Sequence, residues 1–313
     1  MVEFEADIDH HDTVDALDLR RFPAVRRPVL GFNDSRKSYP RDFTIHASCD
    51  GLLLLSFNKH RRLYLCNPAT RQWLALRHLP GDSYVAALYP HRPLGEYRIL
   101  YWKRTNTDDC AVYYVLTVGS SSQEGQQPRC IGLPVASPSM KNDTTCWHIC
   151  ASMSRSVLRH DCLHWYNRSK IVVFDTVTES FRWMQPPTAT SSAHVLEMDG
   201  AFGIGHVDLD TMTAEAWVLH DYEKEIWSSK FRIKLPDEEM SKDATCADSL
   251  YGGVVVSENG DMLLTGGKCP FVSMFHCDGK GKLVEKFVLE GVALCFKESL
   301  VRHAFFRRRG NGT

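Results

Sequence analysis

The side chains best suited to chemistry lie in two triplets, Cys146-x-His148-x-Cys150 and His160-x-Cys162-x-His164. Thiolates and imidazoles are ordinary zinc ligands, and alternate residues of a β-strand share a face, so each triplet would present three soft donors to one side. A turn over Ser152 to Ser156 would set the two strands antiparallel and bring those faces together. The spacing argues the other way. Zinc sites commonly close chelate loops of about two to four residues, so buried cysteines and partly buried histidines of a sheet explain the pattern more simply. No metal and no cofactor is expected.

Other chemistry is equally sparse. There is no nucleophile elbow, no glycine-rich phosphate loop after a strand and no His-Glu-x-x-His helix, so no catalytic residue is expected. Gly119 to Gly125 reads as a polar loop. Trp73, Trp102, Trp165, Trp183, Trp217 and Trp227 would serve a ligand groove, but their places within strands favour packing between sheets. Arg307-Arg308-Arg309 reads as a solvated basic tail over residues 307–313.

The elements that must position these residues are strands. Leu52 to Phe57, Arg62 to Cys66, Tyr97 to Trp102, Val112 to Val118, Ile171 to Phe174, Ala216 to Leu219 and Phe271 to Phe275 are short, apolar and mostly bounded by turns. The best helical candidate is Asp237 to Leu250, opened by Pro236-Asp237. A repeat underlies the strands. Asn67, Gly119, Asp175, Asp221 and Asp278 mark hairpins at steps of roughly 46 to 57 residues, near the ~40–50-residue period of four-stranded propeller blades. Asn and Asp head such turns by bonding their own backbone two residues on. A second mark, Asp50-Gly51, Asp199-Gly200 and Asn259-Gly260, reads as tight inner turns.

These marks predict an all-β, β-propeller-like domain of about six blades of short antiparallel strands. Five blades follow from the markers, and pairing of residues 22–32 with 292–306 is expected to complete a sixth. A pair of β-sandwiches is the alternative. The predicted organisation is an acidic, flexible segment over 1–21, the propeller domain over 22–306 and the basic tail.

Composition limits the partners. Thirty-seven Lys and Arg stand against 38 Asp and Glu, a net charge of −1, which supplies no field for nucleic acid or an anionic membrane. Eleven cysteines without framework spacing read as free thiols of a reducing compartment, and the acidic first twenty residues carry no secretory pattern. A cytoplasmic or nuclear location is expected.

Five motifs in order then carry a resemblance. Ser48-Cys49-Asp50-Gly51-Leu52-Leu53, followed by Leu63-Tyr64-Leu65-Cys66-Asn67-Pro68-Ala69-Thr70-Arg71-Gln72-Trp73, resembles the opening signature of plant F-box-associated domains. Gly95 to Leu100, Cys162 to Tyr166 with Val173 to Thr176, and Trp217 to Tyr222 with Trp227 continue it over about residues 43 to 290. The resemblance implies a β-propeller-like domain that recruits a protein substrate to a cullin-type (SCF) ubiquitin ligase without catalysis of its own. It marks Cys49, Gly51, Asn67, Pro68, Thr70, Trp73, Trp165, Asp175, Trp217, Asp221, Tyr222 and Trp227 as structural family positions. In that family an N-terminal F-box of some forty residues holds the ligase adaptor. Residues 1–42 lack its leucine-proline start, paired amphipathic helices and cysteine-lysine-x-tryptophan end, so the chain as written is expected not to bind the adaptor. The alternatives are a propeller hydrolase and an F-box-less relative without ligase activity.

Overall fold

The computed structural model describes residues 2–6, 13–18, 25–31, 43–57, 62–104, 111–118, 127–132, 156–167, 169–188, 190, 193–198, 200–208, 210–236, 254–256, 261–266, 271–290 and 294–306. Among the described residues the strands form six four-stranded sheets, antiparallel throughout. The all-β, propeller-type class expected from the repeat is the class the chain has. The chain divides into two compact units of three sheets each. Asp237 to Leu250, the marker Gly119 and the turn Asn259-Gly260 lie outside the described residues.

The first unit takes in Met1–Ala151, Thr176–Glu179 and Val292–Thr313. One of its sheets runs β24-β1-β2-β3, with β1 Val2–Ala6, β2 Thr13–Asp18, β3 Val25–Gly31 and β24 Leu294–Phe296. The predicted partnership of residues 22–32 with 292–306 is therefore indirect. Both stretches join this sheet, but β24 pairs with β1, setting Val2 opposite Phe296, and β1 and β2 lie between. Strand therefore occupies part of the segment read as flexible on its charge. Its apolar residues alternate with acids, Val2-Glu3-Phe4-Glu5-Ala6, which is the period of a strand.

The second sheet holds β4 Phe43–Cys49, β5 Leu52–Phe57, β6 Arg62–Asn67 and β7 Gln72–His78. The third holds β8 Ser83–His91, β9 Glu96–Arg104, β10 Ala111–Thr117 and β11 Arg129–Gly132. Leu52, Leu53, Leu54 and Leu55 are all completely buried, because both faces of β5 are covered. A strand covered on both faces loses the polar alternation, which explains the unbroken leucine run. Each such leucine contributes about 1.5–3 kcal/mol of burial. Leu52, Leu54, Leu63 and Leu65 pack with Leu88, Ile99, Tyr101 and Leu116 in one core between these two sheets.

The second unit takes in Ser152–Asp175 and Ser180–Gly291. Its sheets are β12 Val157–Arg159, β13 Cys162–Asn167, β14 Lys170–Asp175 and β15 Ser180–Met184; then β16 Ala193–Met198, β17 Ala201–Asp208, β18 Thr213–Asp221 and β19 Ile226–Lys234; then β20 Val254–Val256, β21 Met262–Gly266, β22 Phe271–Cys277 and β23 Leu283–Glu290. One core joins Ile171, Val173, Phe202 and Ile204, and another joins Leu196, Ala214, Met262 and Phe275.

Three of the five markers, Asn67, Asp221 and Asp278, head Asx turns, and Asp175 opens a turn of the same length as those at Asn67 and Asp221. Asn67 Oδ1 accepts the Thr70 N–H at 3.2 Å, Asp221 Oδ1 the Glu223 and Lys224 N–H groups at 3.1 and 3.0 Å, and Asp278 Oδ1 the Lys280 and Lys282 N–H groups at 2.9 Å. The fifth residue of three of these turns, Arg71, Glu179 and Glu225, has φ of 53° to 54°. Hydrogen bonds from the backbone hold the Asp278 carboxyl below its ordinary range, and bonds from Thr211 do the same for Asp208.

Candidate functional site

The second unit carries an open cleft of about 760 Å3. Its wall starts at the reversal between β12 and β13, where His160 and Asp161 have φ of 51° and 55°. Two successive left-handed residues make the tight hairpin turn that matches strand twist. His160 is thus a turn residue and does not share a strand face with Cys162 and His164, which corrects the second soft-donor triplet. Cys146, His148 and Cys150 lie outside the described residues. Among the described residues, no three His, Cys, Asp or Glu side chains group as a metal-holding set.

Cys162 opens β13 opposite Asp175 at the end of β14, and Arg182 comes from β15. His220 and Asp221 end β18, and Tyr222 and Glu223 follow in its turn. Tyr222 organises the cleft. Its ring lies 4.6 Å from that of His160 and 5.6 Å, edge-on, from that of His164. The Arg182 guanidinium sits 5.2 Å from the ring centroid, within cation–π range. Arg182 is aimed by Glu225, whose Oε1 is 3.4 Å from Nη1, while Oε2 accepts the Gln185 N–H at 3.0 Å.

Hydrogen bonding fixes the protons. His164 Nδ1 lies 3.1 Å from the Val157 carbonyl, which only accepts, so Nδ1 carries the hydrogen. Nε2 then accepts from the Tyr222 hydroxyl at 2.8 Å. Burial lowers the pKa of His164 to about 4, so the ring is neutral at pH 7. Burial likewise pushes the Cys162 thiol and the Tyr222 phenol up, and a side-chain hydrogen bond links the two. Cys162, Tyr222 and His164 thus form a neutral chain of contacts.

The opening signature does different work, in the first unit. Asn67 is completely buried, and its Nδ2 donates to the carbonyls of Ser299 at 3.0 Å and Val301 at 3.2 Å. Pro68 accepts the Arg71 N–H at 3.2 Å, and the Thr70 hydroxyl donates to Gln72 at 2.9 Å. Gly51, at φ +79°, lies against the same segment, and a Cβ there would sit 2.3 Å from Ser299 Cβ. Next to it, burial and the Asp50 carboxylate raise the Cys49 thiol, and Asp50 accepts the Tyr97 hydroxyl at 3.0 Å. The Tyr97 ring meets His303 and Phe305 edge-on. These family positions clamp the chain segment Ser299 to Phe306 across two hairpins.

The tryptophans differ in their surroundings. Trp165 is completely buried, Trp217 pairs with Ile204 at a bulge in β18, and Trp227 donates Nε1–H to the Gln185 carbonyl at 3.0 Å while packing on Phe202. Trp73, at the start of β7, is 38% exposed. Asp175, Asp221 and Tyr222 are the family positions the fold brings together at the cleft.

One constellation escaped the sequence reading. In the first unit the carboxylate of Glu179, 4% exposed, accepts the Tyr89 hydroxyl at 2.7 Å and Arg98 Nη1 at 2.6 Å on Oε1, and pairs through Oε2 with Arg129. Arg98 also reaches Glu96 at 3.2 Å. The signal was available: glutamate stands four residues after aspartate at both 175/179 and 221/225.

Four-stranded antiparallel sheets repeated around Asx-headed turns define a propeller-type domain. The sequence model of the F-box associated beta propeller domain family matches residues 31–308, and the chain belongs to that family. F-box protein At1g47340 of Arabidopsis thaliana is 26% identical over 181 residues, a match that takes in 56% of this chain and 36% of that protein, so the chain corresponds to about a third of this relative. Among solved structures, TolB from Acinetobacter baumannii is similar over 93% of this chain and 64% of its own, at 13% identity and a TM-score of 0.48. The beta-propeller domain of Myceliophteria thermophila Cps50 (Swd1) is similar over 90% and 80%, at 12% identity and a TM-score of 0.44.

Proposed function

We propose that the chain is a non-catalytic recruiting module, the substrate-binding part of an F-box-type receptor of a cullin-type ubiquitin ligase. Family membership over residues 31–308 carries this reading. The cleft around Tyr222 supports it, because its Cys162–Tyr222–His164 chain is neutral and offers contacts rather than reactivity. The ligand we assign to it is a protein segment, met by the solvent-facing His220 and Glu223 and the Tyr222 and Arg182 side chains. Nucleic acid is not among the proposed partners, because the net charge is −1. Membrane is not among them either; no helix of the described residues is long and apolar enough to cross one. The proposed location is cytoplasm and nucleus. Adaptor contact belongs to an F-box, and the 313 residues by themselves are proposed not to make it.

The test pairs proximity labelling with protein turnover. Proteins labelled by the wild-type chain and lost with a His220→Ala, Glu223→Ala double variant should gain half-life when the chain is depleted. A labelled set that ignores the double variant, or whose turnover is unchanged, overturns recruitment. Retention of the 313-residue chain on purified adaptor at micromolar affinity would overturn the adaptor statement.

A further inference from the structure

The Glu179 carboxylate sits among three side chains of the first unit. Tyr89 and Arg98 donate to one carboxylate oxygen and Arg129 to the other, so three donors from β8, β9 and β11 converge on a single anion. Tyr89 pairs directly with Arg98 across β8 and β9, which sets phenol and guanidinium side by side on one face of a rigid sheet. Such charge-assisted, convergent bonds are how proteins recognise carboxylates.

Two features go beyond an internal ion pair. First, the socket is incompletely satisfied. Arg98 Nε and His91 Nδ1 are buried without a hydrogen-bond partner among the described residues, and His91 is only 6% exposed. His91 lies opposite Glu96, two residues along β8 from Tyr89 and so on the same strand face. Second, the site has an open side, because Arg129 is 57% exposed. Without Glu179 the site would hold two guanidinium groups against the single carboxylate of Glu96 and would need an anion.

We propose that Tyr89, Arg98 and Arg129 form a carboxylate-binding socket for an acidic side chain of a protein partner, filled by Glu179 when the partner is absent. An intramolecular occupant acts at an effective concentration of about millimolar or more, so it suppresses weak competitors and yields only to a ligand held by additional contacts. The socket shares no residue with the lining of the cleft, and its test does not depend on what the chain recruits.

The full chain is titrated by calorimetry with an acetylated, amidated Asp-Glu-Glu peptide and with its Asn-Gln-Gln counterpart. Glu179→Ala should bind the acidic peptide at least tenfold more tightly than wild type and ignore the amide peptide. Adding Arg98→Ala should abolish the gain. Sodium acetate, against sodium chloride at equal ionic strength, should raise the melting temperature of Glu179→Ala and leave wild type unmoved. If Glu179→Ala does not fold, Glu179→Gln, which keeps the shape and drops the charge, takes its place in both measurements. Equal binding of acidic and amide peptides, no gain over wild type, or a gain that survives loss of Arg98 overturns the socket.

Discussion

The hydroxyl of Tyr222, in the turn after β18, donates to Nε2 of His164, in the middle of β13, across 2.8 Å. One bond thereby ties the lining of the cleft to a completely buried ring in the neighbouring sheet of the same unit.

Tyr222→Phe keeps the ring contacts with His160 and Arg182 and removes that donor. A buried Nε2 left without a partner costs about 1–3 kcal/mol. Urea unfolding should show a lower midpoint with an unchanged slope, and partner capture should fall less than with Tyr222→Ala.

Acid should weaken the protein over a defined window. Burial lowers the pKa of both His164 and His46 to about 4, against roughly 6.5 unfolded. Between these values the unfolded chain binds more protons, so stability rises with pH. The contribution is complete above about pH 6.5 and is lost as pH falls towards 4. Melting temperatures across pH 4 to 7 check this, and His164→Gln should flatten part of the slope.

The clamp on the Ser299 to Phe306 segment rests on Asn67 and Gly51. Asn67→Ala would remove three part-buried hydrogen bonds, to two carbonyls and from the Thr70 N–H, at about 0.5–1.5 kcal/mol each. Gly51→Ala would drive a methyl into Ser299 from a left-handed backbone. Both variants should expose that segment to limited proteolysis before the rest of the chain unfolds.

The two arginines on Glu179 should differ. Arg98, 11% exposed, leaves a buried carboxylate when removed, and Arg98→Ala should cost about 3–5 kcal/mol. Arg129, 57% exposed, is screened by solvent, and Arg129→Ala should cost about 1 kcal/mol or less, with a salt dependence that Arg98→Ala lacks. Chemical denaturation at 0.05 and 0.5 M salt separates them.

Local chemistry alone determined much of this molecule. Short apolar runs bounded by turns name strands such as β10, and Asn67, Asp221 and Asp278 name their turns because an Asx side-chain oxygen can accept the backbone N–H groups that follow it. The order of five motifs also placed the chain in its family. Seven acids stand among the first twenty residues, and in β1 they alternate with apolar residues. Only the tertiary structure decided which residues meet. His160 left its triplet because two left-handed residues turn the chain there, and Tyr222 found His164 fifty-eight positions away. Glu179 gathered Tyr89, Arg98 and Arg129 from three strands. Such partnerships are long-range: no spacing encodes them, since they depend on how sheets pack, and packing is set by all the apolar faces at once.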